Sequence, residues 1–204
     1  MADIYYIGGS PCSGKSTVAE IVAEKYGFHY YKVDNHLESF TKRGAEMHYP
    51  ICRKLLKLSP EQIWMRDSAL QKEEELRYYN EIFGFIQTDL LKYQDTCPVI
   101  TEGAAYLPTL MRQQNVAENR YIAITPTKEF QIDRYKEREW VPDVLKGCSD
   151  TKKAFENWME RDILFAQEVR HQCQVLNYSS ILIDGALAVD EIVRIVCAHF
   201  VLGL

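Results

Sequence analysis

The chain predicts an α/β protein with one three-layer, parallel-sheet domain. Three observations carry that expectation. Five short apolar runs, near residues 3–7, 28–33, 98–101, 120–124 and 181–183, alternate with longer amphipathic stretches, the pattern of strand–helix–strand units. The first run leads into Gly9-Ser10-Pro11-Cys12-Ser13-Gly14-Lys15-Ser16, which fits G-x-x-x-x-G-K-[ST] at every fixed position. The length, 204 residues, suits a single domain over 1–204 with a small inserted region, and no internal repeat, linker or low-complexity tract divides it.

Each element has a local justification. Residues 3–7 form the first strand and 14–25 the first helix, which Gly27 ends. Phe28 to Val33 is a second strand that delivers Asp34 to its C-terminal end, the sheet edge where parallel α/β folds bind ligands. Asn35 caps a short helix through Leu37 and Phe40, and Gly44 and Pro50 mark the turns beyond it. Ser59-Pro60-Glu61-Gln62 combines an N-cap, a first-turn proline and first-turn acid. The segment from about 35 to 70 therefore reads as an acceptor-binding insert. It is locally basic, with Lys42, Arg43, Arg53, Lys54, Lys57 and Arg66.

A long helix is predicted over Leu70–Tyr93, because Leu76, Tyr79, Phe83, Ile86 and Leu90 recur at three- and four-residue steps. That stripe reads as core. Gly84 within it marks a place for close helix–sheet packing. Pro98 to Thr101 is a buried strand with Glu102 at its exit. A helix over Pro108–Gln114, a strand over Arg120–Ile124 and a helix from Pro126 to about Glu139 follow. Trp140–Ser149, holding Pro142 and Gly147, reads as a loop. Ser149 or Asp150 caps a helix to about Gln172, Ile181–Ile183 is the last strand, and Val189–Leu202 the closing helix.

Composition narrows the function. Formal net charge is -5, so the basic footprint of a general nucleic-acid binder is missing. The six cysteines form no C-x-x-C pair, as expected of reduced thiols in a cytoplasmic protein rather than of a zinc site. No run has the length and apolarity of a signal or a membrane span.

The glycine loop supplies the chemistry. Gly9 and Gly14 allow close backbone approach, and the backbone N–H groups of the loop from Gly9 and Ser10 through Cys12, Ser13 and Lys15 to Thr17 at the helix start (Pro11 has none to give) curl around a phosphate. Lys15 reaches the β- and γ-phosphates and Ser16 places its hydroxyl on Mg²⁺. Cys12 reads first as a small side chain tolerated in a tight loop and second as a reactive thiol. Asp34 has two readings, a carboxylate that orients an acceptor hydroxyl and takes its proton, or an Asx-type cap. Glu102, costly to bury alone, has either a Mg²⁺ region or a lysine as partner. Arg134 and Arg138, four apart on one predicted helix face, suit a lid over about 138–150 that brings guanidinium groups to transferring phosphate, or else a solvated charged face. Gly185, after the last strand, lets backbone pass near an adenine ring or simply turns the chain.

Together the loop through Thr17, Val33-Asp34, Val99-Ile100-Thr101-Glu102-Gly103, Arg134 with Arg138, and Ile183-Asp184-Gly185 resemble the nucleoside-, nucleotide- and small-molecule-kinase branch of phosphate-loop (P-loop NTPase) proteins, uridine-kinase-like enzymes among them. The resemblance spans nearly the whole chain. It implies a five-stranded parallel sheet of order 2-3-1-4-5, ATP and Mg²⁺ as cofactors, and a small soluble acceptor that is a nucleoside, nucleotide or sugar-like molecule. It implies catalytic roles for Lys15, Asp34, Arg134 and Arg138, with Glu102 assisting the metal, in a monomer or homodimer without nucleic-acid or membrane partners. The second acid that commonly follows the acceptor acid is Asn35 here, and no signature for shikimate, gluconate, thymidylate or uridine is present. The competing expectation is a nucleotide-gated regulatory protein with slow hydrolysis. A GTPase is disfavoured because no N-K-x-D run occurs.

Overall fold

The structure is a computed structural model that describes residues 3–93 and 96–203. Five strands, β1 (Ile4–Gly9), β2 (His29–Lys32), β3 (Val99–Glu102), β4 (Tyr121–Pro126) and β5 (Ser179–Ile183), form one sheet in the order β2-β3-β1-β4-β5. Every pairing is parallel. β1 holds the centre, with Ile7 opposite Glu102 on one side and Ile122 on the other.

Side-chain alternation splits the core between the two sheet faces. Tyr5 and Ile7 of β1, Ile100 of β3, and Ile122 and Ile124 of β4 pack with Val18 and Val22 of α1 (Lys15–Tyr26) and Ile192 and Val196 of α10 (Val189–His199). Their neighbours Val99, Tyr121 and Ala123 face the other way. They meet α5 (Ser68–Leu90), α6 (Pro108–Gln113) and α9 (Thr151–Leu176). The result is three layers, helix–sheet–helix.

The predicted strands and long helices all form, with differences at their ends. Asp67, not a residue nearer Leu70, caps α5 by accepting from Leu70 N at 2.9 Å. The helix gives way to a 3₁₀ turn at Leu91–Tyr93. Gly84 is exposed and a Cβ there would meet nothing within 4 Å, so it serves no close helix–sheet contact. α9 outlasts its predicted end and stops at Asn177, whose φ of 60° is the left-handed turn that ends a helix. Asn35 caps nothing: Val33–His36 is a 3₁₀ turn and His36 stands at the start of α2 (Leu37–Glu46).

The insert holds α2, α3 (Pro50–Leu55) and α4 (Pro60–Trp64), and Ser59 closes a full capping box with Gln62. After β4 comes α7 (Lys128–Lys136), then the short α8 (Val141–Val144) inside what the sequence suggests is loop. Val141 and Leu145 bury against Tyr135, Ala154, Trp158 and Met159, a small core of their own. The insert meets Ser149 and α9. Ser149 donates from N and Oγ to the Glu61 carboxylate at 2.7 and 2.8 Å, and Trp64 stacks on Trp158 with centroids 4.6 Å apart.

Candidate active site

Close packing at the end of β1 creates the loop. A Cβ on Gly8 would lie 2.3 Å from Tyr121 Oη and 2.6 Å from Tyr106 O, and one on Gly9 would lie 1.8 Å from Ile124 O. Gly9 also has φ of 119°, a conformation side chains rarely permit. The chain leaves the sheet against β4 and turns through Cys12, itself at φ 59°, and Gly14 at φ 80° into α1. Ser13 Oγ donates to Ser10 O at 2.9 Å, which braces the turn.

Lys15 is buried and donates to Ser10 O at 2.6 Å and to Ser13 Oγ at 3.4 Å. Burial pushes its pKa down, while the carboxylates of Glu102 and then Asp34 support its charge. Among the described residues, the buried Ser10 Oγ has no hydrogen-bond partner, an orphaned polar atom in the wall of an anion cradle.

Glu102 is buried at the end of β3, next to β1. Its Oε1 accepts from Ser16 Oγ at 2.9 Å and from Tyr30 Oη at 3.0 Å. Tyr30 reaches it from neighbouring β2, and burial followed by the Glu102 charge raises the phenol pKa well above its usual value. The preceding hydroxyl, Thr101, turns away from this place and shares a 2.5 Å hydrogen bond with Tyr106. Ser16 and Glu102 are hard oxygen donors beside the loop. Among the described residues no group of three or more His, Cys, Asp or Glu side chains forms a metal cage. That donor set fits Mg²⁺, which binds through one or two protein oxygens together with phosphates and water.

Asp34 is exposed in the 3₁₀ turn after β2. Its charge supports the Lys15 ammonium and adds to the burial that raises the pKa values of Glu75, Tyr78 and Tyr79 of α5.

A cleft of about 450 Å³ is lined by Cys12, Ser13 and Gly14 of the loop, by Phe130, Arg134 and Arg138, and by Ile183, Gly185 and Leu187 at and beyond the end of β5. α7 ends at Lys136, so Arg138 lies in the turn beyond it rather than on the same helical face as Arg134. The turn nevertheless returns it to the same cleft. Arg134 pairs with Glu137 at 3.0 Å and lies over Phe130, 5.0 Å from the ring centroid. Arg138 lies over Tyr135 and Trp140, at 5.5 and 5.4 Å. Burial raises the Cys12 thiol pKa, and the Arg138 guanidinium partly offsets this. Gly185, at φ 95°, has Phe130 packed 3.2 Å from where its Cβ would stand. Pro11 and Thr17 complete the turn without lining this cleft.

Sequence reasoning missed one group of residues. Glu75, Arg161 and Asp162 converge between α5 and α9: Arg161 lies 3.4 Å from Glu75 and 2.6 Å from Asp162, and Tyr135 of α7 donates to Asp162 at 2.8 Å. Their spacing gives no motif, because they join two helices far apart in sequence. Within the insert, His36 stacks on Tyr31, Arg43 and Tyr49 pack on Phe85, His48 is exposed, and Arg66 lines a second cleft.

No protein-family model matches the chain, and no curated protein sequence matches it. Solved structures do. TT1252 from Thermus thermophilus is 13% identical at TM-score 0.51, with 97% of each chain covered. An uncharacterized protein from Eubacterium ventriosum ATCC 27560 is 18% identical at TM-score 0.50, with 98% of each covered. A gluconokinase from Sinorhizobium meliloti 1021 is 16% identical at TM-score 0.48, covering 98% of this chain and 91% of its own. Strand order and loop sequence define the class of fold, a three-layer P-loop fold. At these identities the likeness extends to the fold alone. No helix among the described residues is long and apolar enough to cross a membrane.

Proposed function

We propose that the chain is a kinase that moves the γ-phosphate of ATP to a hydroxyl of a small acceptor. The observation that supports this most is Asp34, an exposed carboxylate in the turn after β2, at the same edge of the parallel sheet as the loop that follows β1, with its charge felt at Lys15. A transferase needs a carboxylate beside the incoming hydroxyl.

In this reading the loop N–H groups and Lys15 bind the phosphates, and the Phe130–Gly185 cleft takes the nucleoside. Ser16 and Glu102 hold Mg²⁺, which neutralises charge on the phosphates when bound. Asp34 accepts a hydrogen bond from the acceptor hydroxyl and takes its proton as the new O–P bond forms and ADP departs. Arg134 and Arg138 supply guanidinium forks to the transferring group.

The test is an acceptor panel with ATP consumption and mass-spectrometric product detection, applied to wild type, Lys15→Ala and Asp34→Asn. Lys15→Ala is expected to abolish transfer while circular dichroism stays native. Asp34→Asn is expected to lower transfer about 10²–10⁴-fold with little change in ATP affinity. Normal transfer by folded Asp34→Asn removes its catalytic role. ATP turnover that ignores every acceptor and responds only to a protein partner overturns the kinase reading.

A further inference from the structure

A group of side chains between α5, α7 and α9 takes no direct part in the transfer described above. Asp162 is fully buried and Tyr135 is 3% exposed. Tyr135 Oη donates to Asp162 Oδ2 at 2.8 Å, and the other carboxylate oxygen lies 2.6 Å from Arg161 Nε. Arg161 in turn lies 3.4 Å from Glu75 of α5. Burying a carboxylate is costly even when it is paired, and apolar groups of similar volume are often as stable. What apolar packing lacks is direction. A hydrogen bond to a charged acceptor fixes one end of the ring in one place.

The ring so fixed carries Arg138. That residue lies beyond the end of α7, and its backbone N–H donates to Tyr135 O at 3.1 Å. Its guanidinium lies over the rings of Tyr135 and Trp140, 5.5 and 5.4 Å from their centroids. Arg134, by contrast, pairs with the Glu137 carboxylate at 3.0 Å. An aromatic face holds a guanidinium without neutralising it. Arg138 therefore brings its charge undiminished to the cleft it shares with Cys12, Ser13 and Gly14 of the loop.

The platform is braced from several sides. Trp158 meets the Tyr135 ring with centroids 5.0 Å apart, and Trp140 meets it edge-on at 6.2 Å. Trp158 stacks in turn on Trp64 of the insert at 4.6 Å. These contacts constrain the tilt of the ring, and the bond to Asp162 sets its position along its long axis. Donation to a carboxylate also pushes electron density into the phenol ring, which strengthens its hold on a cation.

We infer that Asp162 and Tyr135 are positioning residues: the buried carboxylate holds the Tyr135 ring, and the ring aims the Arg138 guanidinium at the phosphate that is transferred. The inference rests on the proposed role of Arg138 and extends it to two residues that touch no ligand.

The experiment measures, by calorimetry on the full chain with Mg²⁺, the binding of ADP and of a non-hydrolysable ATP analogue. The ratio of the two dissociation constants reports contacts to the terminal phosphate and needs no acceptor. Arg138→Ala should shift that ratio towards ADP about tenfold or more. Tyr135→Phe keeps the ring and removes the hydroxyl. It should shift the ratio the same way by about threefold or more and leave ADP affinity within about twofold of wild type, which also reports that the variant is folded. In the Arg138→Ala background it should shift the ratio no further, because the two act as one unit. Asp162→Asn should act in the same direction and add nothing once Tyr135→Phe is present. A carboxylate acting only as a nearby negative charge gives the opposite sign, since its loss favours the more highly charged ATP analogue. Three results overturn the inference while leaving the role of Arg138 in place: an unchanged ratio in Tyr135→Phe, an equal shift with and without Arg138, or a shift towards the ATP analogue in Asp162→Asn. An unchanged ratio in Arg138→Ala removes the phosphate role of Arg138 and this inference with it, and the acceptor panel then judges the kinase reading by itself.

Discussion

Glu102→Gln separates a metal-organising carboxylate from a structural one. In the wild type a single oxygen, Oε1, accepts from both Ser16 Oγ and Tyr30 Oη, at 2.9 and 3.0 Å. A glutamine carbonyl fits the same space and accepts the same two bonds. Each weakens from a charge-assisted bond worth about 1.5–3 kcal/mol to a neutral one worth about 1 kcal/mol. That loss, about 1–4 kcal/mol over the pair, is offset by no longer burying a carboxylate, so the fold should survive. The function should not be spared. The substitution removes the carboxylate bonded to Ser16 and the main carboxylate support for the Lys15 charge. Loss of a group that orients or joins a metal ligand typically costs about 10–100-fold in metal affinity or activity. The half-saturating Mg²⁺ concentration is therefore expected to rise about 10–100-fold at fixed ATP, with a melting temperature close to wild type. The assay is phosphoryl transfer, or acceptor-independent ATP hydrolysis, titrated with Mg²⁺. An unchanged midpoint and unchanged maximum in a folded variant would refute the reasoning and leave Glu102 as a buried anchor for Ser16 and Tyr30.

Two further perturbations probe the scaffold and the cleft arginines. Gly8→Ala places a methyl where Tyr121 donates to Tyr106 O at 2.8 Å. Overpacking plus a lost buried bond predicts about 2–5 kcal/mol of destabilisation by urea denaturation, with Tyr121→Phe in the same chain restoring part of it; a cost within about 0.5 kcal/mol of zero contradicts the close β1–β4 packing. Arg134→Lys and Arg138→Lys keep the charge but lose the planar fork that lies over Phe130, Tyr135 and Trp140. Single-turnover transfer should fall more than ATP binding, and no change in either measurement makes the pair a solvated face.

Much of this protein was determined by its sequence alone. The loop was legible because phosphate binding demands particular residues at fixed spacing, and the chain around it supplies strand and helix in the required order. The five strands were legible because a buried parallel strand is a short apolar run bounded by turn residues, as Val99–Glu102 is. Glu102 and Asp34 stood out because each is an acid at the exit of such a run. Local chemistry also marked the Ser59 cap, which needs only its own neighbours.

Tertiary structure decided what no local pattern encodes. Arg138 leaves the helix of Arg134 yet returns to the same cleft, because the turn after Lys136 and the small core of Val141 and Leu145 hold it there. Thr101 turns to Tyr106 rather than to the metal region, because strand alternation places it on the opposite sheet face. The Glu75–Arg161–Asp162 group exists only where α5 and α9 pack, so its parts carry no signal apart. Spacing records the contacts a short segment makes with itself or with a phosphate. Charges matched across two long helices depend on how those helices dock, and the physical reason lies in the shared, poorly solvated space between them.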